Sequence, residues 1–136
     1  NEDRLMIAHR IKTEPIKNIV VIHGTDTMVQ TAQTIKEHTS QDKVVVITGA
    51  MLPFSIKESD AMFNLGGAFI AAQTSEPGIW ISMNGHIFRS DDVAKNKIKG
   101  IFETFFCSMR NFIKIYRYRL TNEFINNNFF WIFVFF

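Results

Sequence analysis

The stretch VVIHGTDTMVQTA, from Val20 to Ala32, joins a strand-like pattern to a helix-like pattern with almost no linker between them. Its apolar, β-branched run stops at Gly24, and helix-forming residues begin soon afterwards. Between the two patterns lie two hydroxyls and a carboxylate, those of Thr25, Asp26 and Thr27. A strand that leads directly into a helix is the unit from which parallel sheets are built, so this stretch predicts an α/β fold.

The same pattern recurs along the chain. Apolar, β-branched runs predict three strands, at Asn18 to Ile22, Val44 to Thr48 and Gly78 to Gly85. Helical patterns follow the first two strands, at about Thr27 to His38 and from Ser59 or Asp60 onward. The third strand ends in an Asn-Gly dipeptide, which predicts a tight turn and a short returning partner in HIFRS.

Alternating strands and helices with continuous apolar strands predict a three-layer, parallel-sheet α/β domain of the flavodoxin or Rossmann kind, covered on both faces. Ligands of such sheets gather beyond the carboxyl ends of the strands. His23 to Thr27 and Thr48 to Met51 both fall at such ends. The sequence has neither a Walker loop nor a GxGxxG motif, so no motif predicts nucleotide binding.

Composition narrows the partners and the compartment. The 136 residues carry a formal net charge of +2, which favours no nucleic-acid partner. No apolar run approaches the roughly 20 residues that span a bilayer, and the first residues lack a signal-peptide pattern, so we expect no membrane association. A single cysteine excludes an intrachain disulfide and a cysteine metal cluster. We expect a cytoplasmic protein.

A threonine hydroxyl is a poor nucleophile unless a base lies within hydrogen-bond reach, and a desolvated lysine can be that base. Lys95, in SDDVAKNK, is one candidate for a base near Thr25, although spacing alone favours it no more than Lys97 or Lys99. The structural alternative is that Thr25 or Asp26 simply caps the following helix. The residues alone favour that alternative.

Four stretches resemble the bacterial-type L-asparaginases and their glutaminase relatives. They occur in the order and near the spacing of that family and together cover residues from about 15 to 103. The stretches are VVIHGTDTM at 20–28, VVVITGAMLP at 44–53, SDAMFNLGGA at 59–68 and MNGHIFRSDDVAKN at 83–96.

This resemblance implies hydrolysis of L-asparagine, or of L-glutamine, to the acid and ammonia, with no metal and no organic cofactor. It implies a catalytic triad of Thr25, Lys95 and Asp26. Lys95 would take the hydroxyl proton or keep water activated, while Thr25 and Asp26 would also bind substrate, Asp26 through the substrate amino group. The backbone carbonyl of Ala50 would lie near the scissile amide. The family is homo-oligomeric.

Three features that the resemblance implies have no counterpart within the 136 residues: an acyl-forming threonine, a strand end that holds the substrate carboxylate, and a smaller C-terminal domain. We therefore expect the chain by itself to be nearly inactive. Two alternatives stay open. One is a truncated, non-catalytic remnant, and the other is an asparaginase-like subunit of a tRNA-dependent amidotransferase.

The last part of the chain has a different composition. Residues 105–136 hold nine of the fourteen phenylalanines and a run of three asparagines, without sustained helical or strand periodicity. We expect residues 1–104 to form a partial asparaginase N-terminal domain and residues 105–136 to be an aberrant tail that does not pack as a domain. The alternative is an apolar helix that needs a partner.

Overall fold

A computed structural model describes residues 2–40 and 42–104, together with the backbone of residues 129–133. The described part contains three helices: α1 (Glu2–Thr13), α2 (Met28–His38) and α3 (Ala61–Thr74). The strands are β1 (Asn18–Ile22), β2 (Val44–Thr48), β3 (Gly78–Met83), β4 (His86–Arg89), β5 (Ala94–Asn96), β6 (Ile101–Glu103) and β7 (Phe129–Phe133).

Five strands form one mostly parallel sheet in the order β4-β3-β2-β1-β7. Strands β1, β2, β3 and β7 run parallel, so their carboxyl ends lie at one edge. Strand β4 runs antiparallel to β3. The turn between them contains Asn84 and Gly85, both with positive φ, at 52° and 77°. This conformation explains the Asn-Gly dipeptide, because asparagine and glycine tolerate left-handed backbone best.

Alternate side chains of the strands enter two separate cores, one on each face of the sheet. One core joins the sheet to α1 and α2 and contains Ile19, Val21, Val45 and Ile47. The other joins the intervening residues, such as Val20, to α3. Burial on both faces explains why the strands read as continuous apolar runs. The three-layer α/β prediction is confirmed.

A separate two-stranded sheet pairs β5 with β6 in antiparallel register. It is attached to the first core through Val93 and Phe102, which are both buried. The pairing sets Lys95 opposite Phe102. The hairpin therefore holds Lys95 on an element that is anchored in the core.

Six elements were predicted with ends that agree with the structure to within about two residues, namely β1, α2, β2, α3, β3 and β4. Helix α1, the β5–β6 hairpin and β7 were not predicted. The proposed nature of residues 105–136 as a tail stays a prediction, because most of that segment lies outside the described residues. None of the helices within residues 2–40 and 42–104 has the length and the apolar character of a membrane-spanning segment.

Candidate active site

Lys95 and the loop after β1 meet at the carboxyl edge of the sheet. Lys95 Nζ donates hydrogen bonds to Thr25 Oγ1 at 2.8 Å and to Asp26 Oδ1 at 2.6 Å. The Lys95 side chain is 13% exposed, whereas that of Asp26 is 84% exposed. The three side chains thus form one cluster, with the lysine inside and the carboxylate facing outward.

The charges of the cluster act most clearly on Asp26. The hydrogen bond from Lys95, and then its positive charge, lower the pKa of the Asp26 carboxyl group, and Lys97 adds a smaller effect in the same direction. Asp26 is therefore a carboxylate at neutral pH. An exposed carboxylate beside a shielded ammonium suits the binding of a cationic group from solution.

The Thr25 hydroxyl is oriented by the Lys95 contact. As an ammonium, Lys95 donates to Thr25 Oγ1, which leaves the threonine proton free to be donated elsewhere. A neutral Lys95 would instead accept that proton and make Thr25 the stronger nucleophile. The same pair can therefore polarise a hydroxyl or deprotonate it, depending on the protonation of one nitrogen.

The loop that carries Thr25 is held from beneath by a buried histidine. His23 Nδ1 lies 2.7 Å from the Gly24 carbonyl oxygen, and Nε2 lies 3.1 Å from Thr31 Oγ1 on α2. Because a carbonyl only accepts, Nδ1 carries the proton and Nε2 accepts from Thr31. Burial is the largest effect on His23 and lowers its pKa, and the positive charge of Arg4 lowers it further. The hydrogen bond to Gly24 acts in the opposite direction but is outweighed. A neutral His23 thus fixes the peptide that precedes Thr25.

Ala50 lies in the loop directly after β2, at the same sheet edge. Its neighbour Gly49 packs against the backbone of His23 so closely that an added Cβ would lie 2.1 Å from the His23 carbonyl oxygen. Only glycine fits there, and the contact sets Ala50 beside the Thr25 loop. Thr25, Asp26 and Lys95 are joined directly, whereas Ala50 is brought near through Gly49 and His23.

The predicted helix cap is wrong. The residue that caps α2 is Thr27, and its side chain makes no capping hydrogen bond. The side chains of Thr25 and Asp26 are engaged by Lys95 instead. The residues alone had favoured the cap, because threonine and aspartate are both common capping residues.

Two further residues at this edge, Asp60 and Asn64, were not predicted as site residues. Asp60 accepts from the Met51 N–H, and Asn64 donates to the Gly49 carbonyl oxygen, so they hold the backbone on both sides of Ala50. Asp60 caps α3 and Asn64 lies in its first turn, and their spacing of four is the one sequence signal that sets them on the same side of the helix. Among the described residues, no group of three or more His, Cys, Asp or Glu side chains is arranged to hold a metal ion.

Comparison with known families identifies the family of the chain. Residues 1–123 match the family described as Asparaginase, N-terminal. The chain belongs to the asparaginase family. The predicted resemblance is therefore confirmed.

Three curated relatives show the range of the family. A glutaminase-asparaginase of Acinetobacter glutaminasificans is 34% identical over 88 residues, which cover 62% of this chain and 27% of the relative. A probable periplasmic L-asparaginase of Haemophilus influenzae is 35% identical over 60% of this chain and 24% of its own length. One subunit of a glutamyl-tRNA(Gln) amidotransferase of Methanococcus vannielii is 34% identical over 71% of this chain and 23% of its own length.

Solved structures agree with the fold. The thermostable L-asparaginase of Thermococcus kodakarensis superposes with a TM-score of 0.68 at 29% identity, over 76% of this chain and 33% of that one. A probable cytoplasmic L-asparaginase of Campylobacter jejuni gives 0.65 at 33% identity, over 70% and 31%. The chain thus spans between a quarter and a third of the length of most of these proteins.

Proposed function

We propose that the cluster of Thr25, Lys95 and Asp26 serves the hydrolysis of a side-chain amide, with L-asparagine as substrate and L-glutamine as the alternative. The observation that carries this proposal is the Lys95 Nζ to Thr25 Oγ1 hydrogen bond of 2.8 Å. A helix cap needs no lysine, whereas a nucleophile or a water-polarising hydroxyl needs one partner of this kind. The relatives named above support the amide substrate.

Each residue has a defined role in this proposal. Lys95 relays a proton to or from Thr25, and the Asp26 carboxylate neutralises Lys95 and binds the substrate amino group. The backbone carbonyl of Ala50 contacts the scissile amide. Over the whole reaction the carbon–nitrogen bond of the amide breaks, a bond from carbon to water oxygen forms, and the nitrogen leaves as ammonia. No metal or organic cofactor takes part in these steps.

The match to an amidotransferase component supports a second candidate, in which the same amide chemistry supplies ammonia to a tRNA-linked product. Both candidates need the Thr25 cluster, so they differ only in the partner. Release of ammonia from L-glutamine that depends on added tRNA and a partner protein would favour the second. Independence from both favours the simple amidohydrolase.

The proposal extends to the partners of the protein and to its location in the cell. For the amidohydrolase we propose a small-molecule substrate and no nucleic-acid partner. We also propose a cytoplasmic location, which is supported by the similarity to the probable cytoplasmic L-asparaginase of Campylobacter jejuni. The periplasmic relative of Haemophilus influenzae is the alternative for location. Cell fractionation with an antibody against the chain distinguishes these two compartments.

The experiment is a ligand titration of the 136-residue chain followed by nuclear magnetic resonance. We expect L-asparagine to shift the resonances of Thr25, Asp26 and Ala50 in a saturable way. Succinamic acid has the same side-chain amide and no amino group. Asp26→Asn should therefore weaken the response to L-asparagine and leave the response to succinamic acid nearly unchanged.

The matched control is Asp42→Asn, because Asp42 is an exposed aspartate that precedes β2, at the opposite edge of the sheet. This variant should respond to both ligands as the parent does. Shifts confined to residues away from the carboxyl edge, or no shift with either ligand, would contradict the proposed function.

A further inference from the structure

The loop that contains Ala50 is held by side chains rather than by regular secondary structure. The Asp60 carboxylate accepts hydrogen bonds from two backbone N–H groups. The Met51 N–H is shared between Oδ1 at 2.9 Å and Oδ2 at 3.1 Å, and the Leu52 N–H donates to Oδ1 at 3.1 Å. Asn64 Nδ2 donates to the Gly49 carbonyl oxygen at 3.0 Å. Asn64 thus holds the peptide group immediately before Ala50, and Asp60 holds the peptide group immediately after it.

The two side chains are also joined to each other and to the next strand. Asn64 Nδ2 donates to Asp60 Oδ2 at 2.7 Å, and Asn64 Oδ1 accepts from the Asn84 backbone N–H at 2.8 Å. Asn64 is 1% exposed. One buried side chain therefore ties the end of β2 to the end of β3, and the carboxylate beside it extends that tie to the loop.

Asp60 occupies a position where its side chain would ordinarily serve its own helix. It is the residue that caps α3, and aspartate is among the best capping residues. Its side chain makes no capping hydrogen bond. The carboxylate is directed to the backbone N–H groups of Met51 and Leu52 instead. The first N–H of α3, that of Ala61, donates to the Ser59 hydroxyl at 3.2 Å.

Because the peptide group is planar, these contacts also fix the direction of the Ala50 carbonyl. The described chain contains no cis peptide bond, so the N–H of Met51 and the carbonyl of Ala50 point in opposite directions within one plane. Because the N–H points at Asp60, the carbonyl of Ala50 points away from it. The Gly49 contact with Asn64 fixes the peptide plane on the other side of Ala50 in the same way.

We propose that Asp60 and Asn64 are positioning residues that orient the Ala50 carbonyl toward the substrate amide. This inference rests on the proposed function, in which that carbonyl contacts the amide. Neither side chain touches substrate. Both act through the two peptide groups that flank Ala50.

The test uses two variants of Asp60 in the 136-residue chain, with the carbonyl carbon of Ala50 observed by nuclear magnetic resonance. Asp60→Asn is isosteric and neutral. Asp60→Ser removes the loop contacts, yet serine is itself a good cap and keeps α3 intact. The control is Glu58→Gln, an exposed carboxylate two residues away.

We expect both Asp60 variants to shift the Ala50 carbonyl and Met51 amide resonances while those of Thr25 and Lys95 stay in place. We also expect them to weaken the apparent affinity for L-asparagine about tenfold, with Asp60→Ser the weaker binder. Glu58→Gln should match the parent in every measurement. A purely structural role would lower stability without moving the Ala50 carbonyl relative to the Thr25 cluster.

Two different failures can be told apart. Asp60 variants that keep the parent's Ala50 resonance and L-asparagine affinity would overturn the positioning role. A parent chain that does not respond to L-asparagine would count against the proposed function. In that case the position of the Ala50 carbonyl resonance in the two Asp60 variants still decides whether Asp60 orients this peptide.

Discussion

Lys95 and Thr25 are 70 positions apart in the sequence, and their side chains are joined by a hydrogen bond of 2.8 Å. The two residues lie on different elements, one on the β5–β6 hairpin and the other after β1. Each element is anchored in the same core. The bond therefore joins two distant elements that share one core.

Removal of Lys95 should change the ionisation of Asp26. In Lys95→Met we expect the pKa of Asp26 to rise toward its ordinary value of 3.8, because both the hydrogen bond and the charge of Lys95 are lost. Lys97→Met should raise it less, since Lys97 is the smallest of the contributions that lower it. The carboxyl carbon resonance of Asp26, followed against pH, measures both values. An Asp26 pKa that is unchanged in Lys95→Met would contradict the claim that Lys95 bonds to Asp26 in solution.

Acid should remove the contribution of Asp60 to stability. Partial burial acts to raise the pKa of Asp60, but hydrogen bonds from Leu52, Met51 and Asn64 outweigh it and bring the pKa below the ordinary 3.8. The contribution is therefore present above about pH 3.8 and lost as the pH falls through the lower, folded-state pKa. The difference in free energy of unfolding between the parent and Asp60→Asn should narrow below that pH. Denaturant unfolding at a series of pH values measures it, and a constant difference would refute the expectation.

Two glycine substitutions should have opposite effects. Gly49→Ala would set a Cβ 2.1 Å from the His23 carbonyl oxygen, so the backbone must shift, at a cost of about 1–3 kcal/mol. At Gly66, inside α3, a Cβ would meet nothing within 4 Å. Gly66→Ala should therefore stabilise the chain by about 0.5–1 kcal/mol, because alanine favours helix. Denaturant unfolding compares the two, and equal midpoints would show that the strand-end contact is loose in solution.

The 136-residue chain by itself should release ammonia from L-asparagine and L-glutamine at close to the background rate. The cluster can polarise water, but the acyl-forming threonine and the carboxylate-binding strand end implied by the family resemblance have no counterpart in these residues. A loss of about 1.4 kcal/mol of transition-state stabilisation already costs tenfold in rate. Coupled ammonia detection, with Lys95→Ala beside the parent, is the measurement. Robust turnover by the parent that Lys95→Ala abolishes would show that Thr25 suffices.

The strands of the sheet could be predicted because the signals for a strand lie within a few consecutive residues. Continuous β-branched runs indicate strands buried on both faces, and Gly24, Gly49 and Asn84-Gly85 mark where they end. The pairing of Lys95 with Thr25 came only from the family resemblance. Spacing alone did not distinguish Lys95 from Lys97, because both belong to a short hairpin without an apolar alternation.

The missed features depend on tertiary contacts. Helix α1 buries only Ile7, Ala8 and Ile11, a narrow stripe within a mostly polar segment. The contacts of Asp60 with the loop after β2 could not be read from sequence, because an aspartate at that position normally caps its own helix. Of the two glycines in α3, only Gly67 lies near the sheet, where a Cβ would be 3.2 Å from Ser82 Oγ.

The most direct test is catalysis in a completed site. Residues 15–103 can replace the matching segment of the Thermococcus kodakarensis L-asparaginase, which supplies the rest of the molecule. Ammonia release from L-asparagine is then measured for this chimera and for its Lys95→Met and Lys97→Met variants. Circular dichroism and size-exclusion chromatography establish that all three are folded and have the same assembly state.

We expect the chimera and its Lys97→Met variant to turn over L-asparagine well above background, and Lys95→Met to lose at least about 100-fold in kcat. A folded chimera without turnover would instead favour the non-catalytic remnant. A Lys95→Met variant as active as the chimera would contradict the claim that Lys95 acts with Thr25.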